Sequence, residues 1–499
     1  MDESRTTTIE YCPVIYTELL TQEAGTDTVI PDTMPDVVRI LCCQESILLQ
    51  SKTVSDGGVT LDAMISHTVL YTGEDRPGIC RLEVSTPVRF TARNELIESS
   101  DACTAALYLS GSEARTLNPR KIQLRVSASA AVTVYRKATL DFSEDAELPD
   151  DVQKLYATEN VGYIAGVTEK SFTVSEELHT EAAWGGDAKI LTWKWFVSEL
   201  DSKKVGGKLI VQGMMDADVL LVSDTRPESK ESFRVPFSQI MDLPGEDCSS
   251  TLFCCLPTAG YLDTLMGAEG NIALTVEMSC LLQAVFTASA EIRCLEDAYS
   301  VSAPTALTRE TLELSGPYRD TERSVSVHET TSLPEAAEEI VWTAAELSPP
   351  FLREGSVYVN ATVRAILKTV SGELSSVSRT AQAVLPDVTE TCFWTVPECG
   401  DLRIDCSGEN AELHCTVSLK LREGSAVDLA PVKTVTVLES DGEEEDRPSL
   451  VAVRADGRSL WELAKSYRSA VDLIRRTNPD WDGSEPQMLL IPRADQRFL

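Results

Sequence analysis

The sequence predicts a mainly β protein, with three repeated antiparallel β-sandwich-like modules followed by a small α/β domain of βααβ order. Three observations carry this expectation. Apolar residues fall on every second position over long stretches, the period of a half-buried strand. These stretches recur at about 150-residue intervals along a 499-residue chain. After residue 449 the pattern changes to helical spacing between two short strands.

The first strand block begins at a glycine in each repeat. From Gly57 the alternating positions are Val59, Leu61, Ala63, Ile65, His67, Val69 and Tyr71. From Gly207 they are Leu209, Val211, Gly213, Met215, Ala217, Val219 and Leu221, and from Gly355 they are Val357, Val359, Ala361, Val363, Ala365 and Leu367. The leading glycine suits a turn into the strand. The small residue at the middle offset (Ala63, Gly213, Ala361) predicts close approach of another layer. A proline-bearing piece follows: Pro87-Val88-Arg89-Phe90, Val235-Pro236-Phe237 and, less regularly, Val384-Leu385-Pro386. The second block comprises Ile122, Leu124, Val126 and Ala128, then Ile272, Leu274, Val276 and Met278, then Leu413, Cys415, Val417 and Leu419. Such alternation implies one wet face per sheet, hence antiparallel layers packed face to face. The expected boundaries are a lead-in at 1–24, modules at 25–145, 152–300 and 310–440, an acidic linker at 441–448 and the terminal domain at 449–495.

Composition narrows the function. Lys and Arg total 44 against 79 Asp and Glu, a formal charge of −35, which repels nucleic-acid phosphates and anionic membranes. The segment Met1-Asp2-Glu3-Ser4-Arg5-Thr6 has no basic or apolar character of a secretory signal, and no 18-residue apolar run predicts a transmembrane segment. Fourteen cysteines in so long a chain are expected to be reduced, small apolar side chains, which points to a cytoplasmic protein.

No catalytic residue, cofactor or metal site is expected. His67, His179, His328 and His414 are scattered, and no nucleophile-elbow, phosphate-loop or H-E-x-x-H motif is present. Cys392, Cys399, Cys406 and Cys415 lack the tight knuckle spacing of zinc ligands, and the neighbours Cys42-Cys43 and Cys254-Cys255 point to opposite faces of a strand. Trp184, Trp193 and Trp195 are expected to pack rather than to form a binding platform.

The terminal domain has its own elements. Leu450 to Val453 is a strand, Ser459-Leu460-Trp461-Glu462 a capping box, and Leu460, Leu463, Ala464 and Tyr467 a helical core face. Ser469-Ala470-Val471-Asp472 forms a second capping box, Asn478-Pro479 ends that helix, and Met488 to Pro492 is a closing strand. This stretch resembles a LysM domain over residues 449–492. The resemblance rests on Val453-Arg454, Ser459 to Lys465, Tyr467, Ile474, Asn478-Pro479 and Leu489 to Pro492. Two loops depart from the LysM pattern: Asp456-Gly457-Arg458-Ser459 and Glu485-Pro486-Gln487. They flank the groove that LysM domains use for N-acetylglucosamine chains.

With the segment Pro31 to Leu41 and the repeated modules, the chain is similar to a SpoIVA-interacting (SipL-like) family of clostridial spore coat morphogenesis proteins. That family joins a domain of unknown function to LysM. The resemblance implies a non-enzymatic scaffold in the mother-cell cytoplasm, docking through LysM on a SpoIVA-like ATPase at the forespore surface. The alternative is a peptidoglycan-binding LysM protein of the wall or cortex.

Charge distinguishes this head from the body. Residues 449–499 hold eight basic and seven acidic residues, so the remaining chain carries −36. The partner- or glycan-binding candidates are Asp456, Gly457, Arg458, Ser459, Lys465, Arg468, Arg475, Arg476, Asn478, Pro479 and an exposed Trp481.

Overall fold

The computed structural model describes residues 6–74, 76–143, 148–180, 184–245, 248–266, 272–310, 314–388, 392–425, 427, 429–438, 448–481 and 488–493. These form many small antiparallel sheets and two helices.

The first repeat contributes β1 (Thr6–Tyr11), β2 (Val14–Val29), β3 (Val37–Ser55), β4 (Gly58–Gly73), β5 (Arg76–Arg93), β6 (Ala102–Asn118), β7 (Lys121–Tyr135) and β8 (Ala138–Ser143). Two three-stranded sheets, β3-β4-β5 and β2-β7-β6, have the two alternating blocks as their central strands. Leu61, Ala63 and Ile65 from one and Val126, Ala128 and Ala130 from the other meet in one core. Each large aliphatic side chain removed from water there contributes about 1.5–3 kcal/mol. The region expected to be a lead-in at 1–24 is largely strand: β2 pairs with β7 from Val14 onward, and β1 pairs with β8. Its apolar positions are spread too thinly for the alternation to stand out.

The second repeat comprises β9 (Val152–His179), β10 (Lys189–Val205), β11 (Lys208–Val222), β12 (Ser229–Asp242), β13 (Cys248–Met266) and β14 (Ile272–Ser300). Sheets β10-β11-β12 and β13-β14-β9 enclose its core. The third comprises β15 (Thr305–Arg309), β16 (Arg319–Ser332), β17 (Ala337–Leu347), β18 (Phe351–Arg353), β19 (Ser356–Thr369), β20 (Leu374–Leu385), β21 (Cys392–Trp394), β22 (Glu398–Ser407), β23 (Asn410–Glu423) and β24 (Val432–Val437). Again the blocks are central: β19 pairs with β17, β18 and β20, and β23 with β16, β21 and β22.

Gly57, Gly207 and Gly355 have φ of +87°, +76° and +72°, so each first block does start from a left-handed hairpin turn. Pro87 and Pro236 lie on the edge strands β5 and β12, where a missing N–H costs least. The expectation of another layer over the middle offset needs correction at Gly213. A Cβ there would meet the Phe237 ring at 2.8 Å, and Phe237 is its cross-strand neighbour in the same sheet.

The three repeats meet at a hub. In each first sheet the register skips one residue, between Ile40 and Cys42, Ile190 and Thr192, and Ile340 and Trp342. The bulged residues Leu41, Leu191 and Val341 are spaced 150 positions apart and turn into one shared apolar cluster. Leu70, Leu220 and Ile366 join them, each the centre of three consecutive buried residues. Such a run departs from alternation because neighbouring repeats cover the outer face as well.

Two buried polar side chains also join repeats. Gln283 of β14 donates to Ala105 O at 2.8 Å and accepts from Ala105 N at 2.9 Å, imitating a strand at the edge of β6. Arg422 of β23 is 1 % exposed, binds Asp320 through two nitrogens and donates to Val285 O at 3.0 Å. The far halves of β9 and β14 form a ribbon flanked by the β1–β8 and β15–β24 pairs, with Ile9 and Ile292 in one apolar cluster and Leu295, Leu307 and Val435 in another.

Cys42, Cys43, Cys254 and Cys255 are free thiols. Cys42 turns into the hub and Cys43 into the first repeat, so this adjacent pair does face opposite sides. Burial pushes the Cys42 thiol up to about 12. Trp184 is fully buried, and Trp193 and Trp195 lie half-buried against Gly260, as packing residues do. Residues 441–447 of the acidic linker fall outside the described residues. No described helix is long and apolar enough to cross a membrane.

Candidate functional site on the C-terminal module

The terminal module has the expected order: β25 (Leu450–Arg454), α1 (Leu460–Tyr467), α2 (Val471–Thr477) and β26 (Met488–Pro492). β25 and β26 pair antiparallel from Leu450–Pro492 to Arg454–Met488. Val453, Leu463, Ala464, Ile474, Leu489 and Ile491 make its core.

The first capping box forms: Glu462 N donates to Ser459 Oγ at 3.2 Å and Ser459 N donates to Glu462 Oε2 at 2.7 Å. The Ser459 N–H and hydroxyl, both donating to Glu462 Oε2, hold that carboxyl below the usual glutamate range. The second box does not form. Ala470 is the N-cap of α2 and has no side chain to cap with, and the Ser469 hydroxyl donates instead to Pro492 O at 2.5 Å. Ser469 is fully buried, so its hydroxyl serves β26, which sequence spacing does not reveal.

The module is seated on the second repeat. Asp297, near the end of β14, accepts from Trp461 Nε1 at 2.7 Å and from Lys465 Nζ at 2.6 Å. Burial alone would raise the Asp297 carboxyl, but hydrogen bonds from Lys465 and Trp461 hold it below its ordinary value. Tyr299 donates to Ser469 O at 2.7 Å, and its ring meets Trp461 edge-on at 4.9 Å. Tyr299 and Val301 thereby enter the module's own core.

This seating divides the sequence candidates. Lys465, although exposed, is engaged by Asp297 of the same chain. Trp481 is half-buried among the module's apolar residues, not exposed, and its Nε1 makes no hydrogen bond. Asn478 is a clamp: its amide donates to Ile474 O and Leu490 O at 2.8 Å and accepts from Leu490 N at 2.9 Å. Arg468, at φ +48°, caps α1 and is half-buried.

The remaining candidates face outward. Asp456 and Gly457 form a left-handed turn at φ +47° and +78°. Arg458 Nη2 donates to Arg454 O at 3.2 Å, and Arg454 pairs with Asp456 at 3.3 Å. Ser459 is spent on the cap. Arg475 and Arg476 are exposed on the last turn of α2, with Asp472 3.5 Å from Arg475, and Pro479 is exposed just beyond. The departing loop Glu485-Pro486-Gln487 lies outside the described residues.

The docking residues Asp297 and Tyr299 went unnoticed in the sequence, because neither stands in a motif and their partners are over 160 positions away. The one available signal was that the β14 segment continues well past its alternating block. No family model, curated protein or solved structure matches this chain.

Proposed function

We propose that this chain is a non-enzymatic scaffold of spore coat assembly whose LysM head binds a SpoIVA-like morphogenetic ATPase at the forespore surface. In this reading the body is three β-sandwich modules and the protein works in the mother-cell cytoplasm. The observation that supports it best is the seating of the head: Trp461 and Lys465 bind Asp297, and Arg454, Arg475 and Arg476 are exposed on a head attached to the acidic body. Arginines on a fixed head suit an acidic protein surface, since less interdomain freedom is lost on binding. The competing reading is peptidoglycan binding through the same head.

The deciding experiment compares the full chain with Arg475→Glu/Arg476→Glu in co-purification with the ATPase from sporulating cells. Loss of at least tenfold in recovery, with unchanged circular dichroism, is expected. Undiminished recovery rejects the α2 surface. Sedimentation of the purified chain with insoluble peptidoglycan, equally in wild type and variant, supports the competing reading.

A further inference from the structure

The interior of the first repeat holds a polar cluster that its sister repeats lack. Cys43 and Glu45 lie two apart on β3 and share a face, and His67 is the direct cross-strand partner of Glu45 on β4. The same pair is Trp195 and Ala217 in the second repeat, and Ala345 and Val363 in the third. The pair one step along is Cys43–Val69, Trp193–Val219 and Thr343–Ala365. Backbone geometry is thus shared, and only here does the layer carry ionisable groups.

These groups are deeply buried and unsatisfied. The Glu45 and His67 side chains are 3 % and 2 % exposed. Apart from the weak donor of the Cys43 thiol beside Glu45, neither Glu45 oxygen nor His67 Nδ1 has a hydrogen-bond partner, a state that costs several kcal/mol for a buried charge. His67 Nδ1 stands 3.6 Å from Glu45 Oε1, too far for a hydrogen bond. That separation is close to the ~3.3 Å edge of a tetrahedron with ~2 Å metal–ligand bonds. One donor atom from each of Cys43, Glu45 and His67 lies within 4.8 Å of the others, the only such convergence among the described residues.

We propose that Cys43 Sγ, Glu45 Oε1 and His67 Nδ1 bind a divalent ion of the zinc type. A mixed thiolate, imidazole and carboxylate set selects zinc or cobalt over magnesium or calcium. Charge balance supports the assignment. Arg364 of β19 reaches this cluster, 4.0 Å from Glu45 Oε2 and 2.7 Å from Glu346 Oε2. One arginine faces two carboxylates, and burial pushes the Glu346 carboxyl up, so the second negative charge must be met by a proton or by an ion. A divalent ion that displaces the Cys43 proton to solvent brings the total to zero: three positive charges on the ion and Arg364, three negative on Cys43, Glu45 and Glu346. The imidazole stays neutral. The ion would tie β3 to β4 beside the hub, where the third repeat enters the first.

The test uses the full chain, treated with a chelator and titrated with Co²⁺ and then with Zn²⁺. One equivalent of Co²⁺ should produce a thiolate charge-transfer band that Zn²⁺ abolishes, and Zn²⁺ should raise the melting temperature of the wild type. The band should disappear in Cys43→Ser, weaken at least tenfold in affinity in His67→Gln, and persist in Cys406→Ser. A wild-type chain that takes up no metal at micromolar Zn²⁺ and shows no rise in melting temperature overturns the site, whatever the variants do. A band retained in Cys43→Ser overturns it equally.

Discussion

The first and second repeats set the same strands in the same register and fill them differently. Where the first places Cys43, Glu45 and His67, with Arg364 reaching in from the third, the second places Trp193, Trp195 and Ala217. The lesson is that alternation specifies which face points inward, but the neighbour across the opening decides what that face must be. The second repeat closes its interior with indole surface laid over Gly260. The first is approached by a cation and answers with carboxylate.

The sharpest way to break this comparison is Arg364→Leu. It strands Glu45 and Glu346 without their cation, and a loss of about 3–5 kcal/mol is expected in denaturant unfolding. Lys194→Met, on the opposite face of the second repeat from Trp193 and Trp195, should cost clearly less, because Asp218 keeps Lys230 and Ser232. Equal losses would mean that removing the cation from Glu45 and Glu346 is no costlier than removing one whose carboxylate keeps a second cation.

A smaller effect is expected from Gly213→Ala. The added methyl would press on the Phe237 ring, itself stacked 5.0 Å from Phe172, so overpacking should cost about 1–3 kcal/mol. The first and third repeats already hold Ala63 and Ala361 at that offset. An unchanged unfolding midpoint would show that Phe237 yields without cost.

The mildest prediction concerns pH. β14 runs on to Ser300 and carries the head, whereas β7 stops at Tyr135. Asp297 titrates below its ordinary 3.8 when docked, so its contribution is fully present above that value. It is lost as pH falls through the lower, docked value, because the undocked carboxylate takes up its proton first. Trp461 fluorescence should report release of the head under acid, and Asp297→Asn should make that signal independent of pH over the same range. A wild-type signal that stays flat down to the acid unfolding of the body would remove Asp297 as the latch.

Much of the β architecture was legible because a period of two is a local property. The six alternating blocks are the six central strands, which stay alternating because one face is buried along most of their length. The first capping box was legible for the same reason: Ser459 and Glu462 need only each other. Ser469 has the same local spelling and a different role, since the nearby Pro492 carbonyl claims its hydroxyl inside the core. Of the head's outward candidates, Arg475 and Arg476 could be named from charge alone. That Lys465 would be occupied could not be, because Asp297 lies 168 positions away.

By itself, then, the sequence determined the strand period, the 150-residue repeat, the leading turns at Gly57, Gly207 and Gly355, and the order of the terminal module. All are set by contacts within a few residues or by self-similarity along the chain. Tertiary structure decided the hub of Leu41, Leu191 and Val341, the seating of the head on Asp297, and the meeting of Cys43, Glu45, His67 and Arg364. Those depend on packing between strands far apart in the chain, and burial turns ordinary polar residues there into unsatisfied ones.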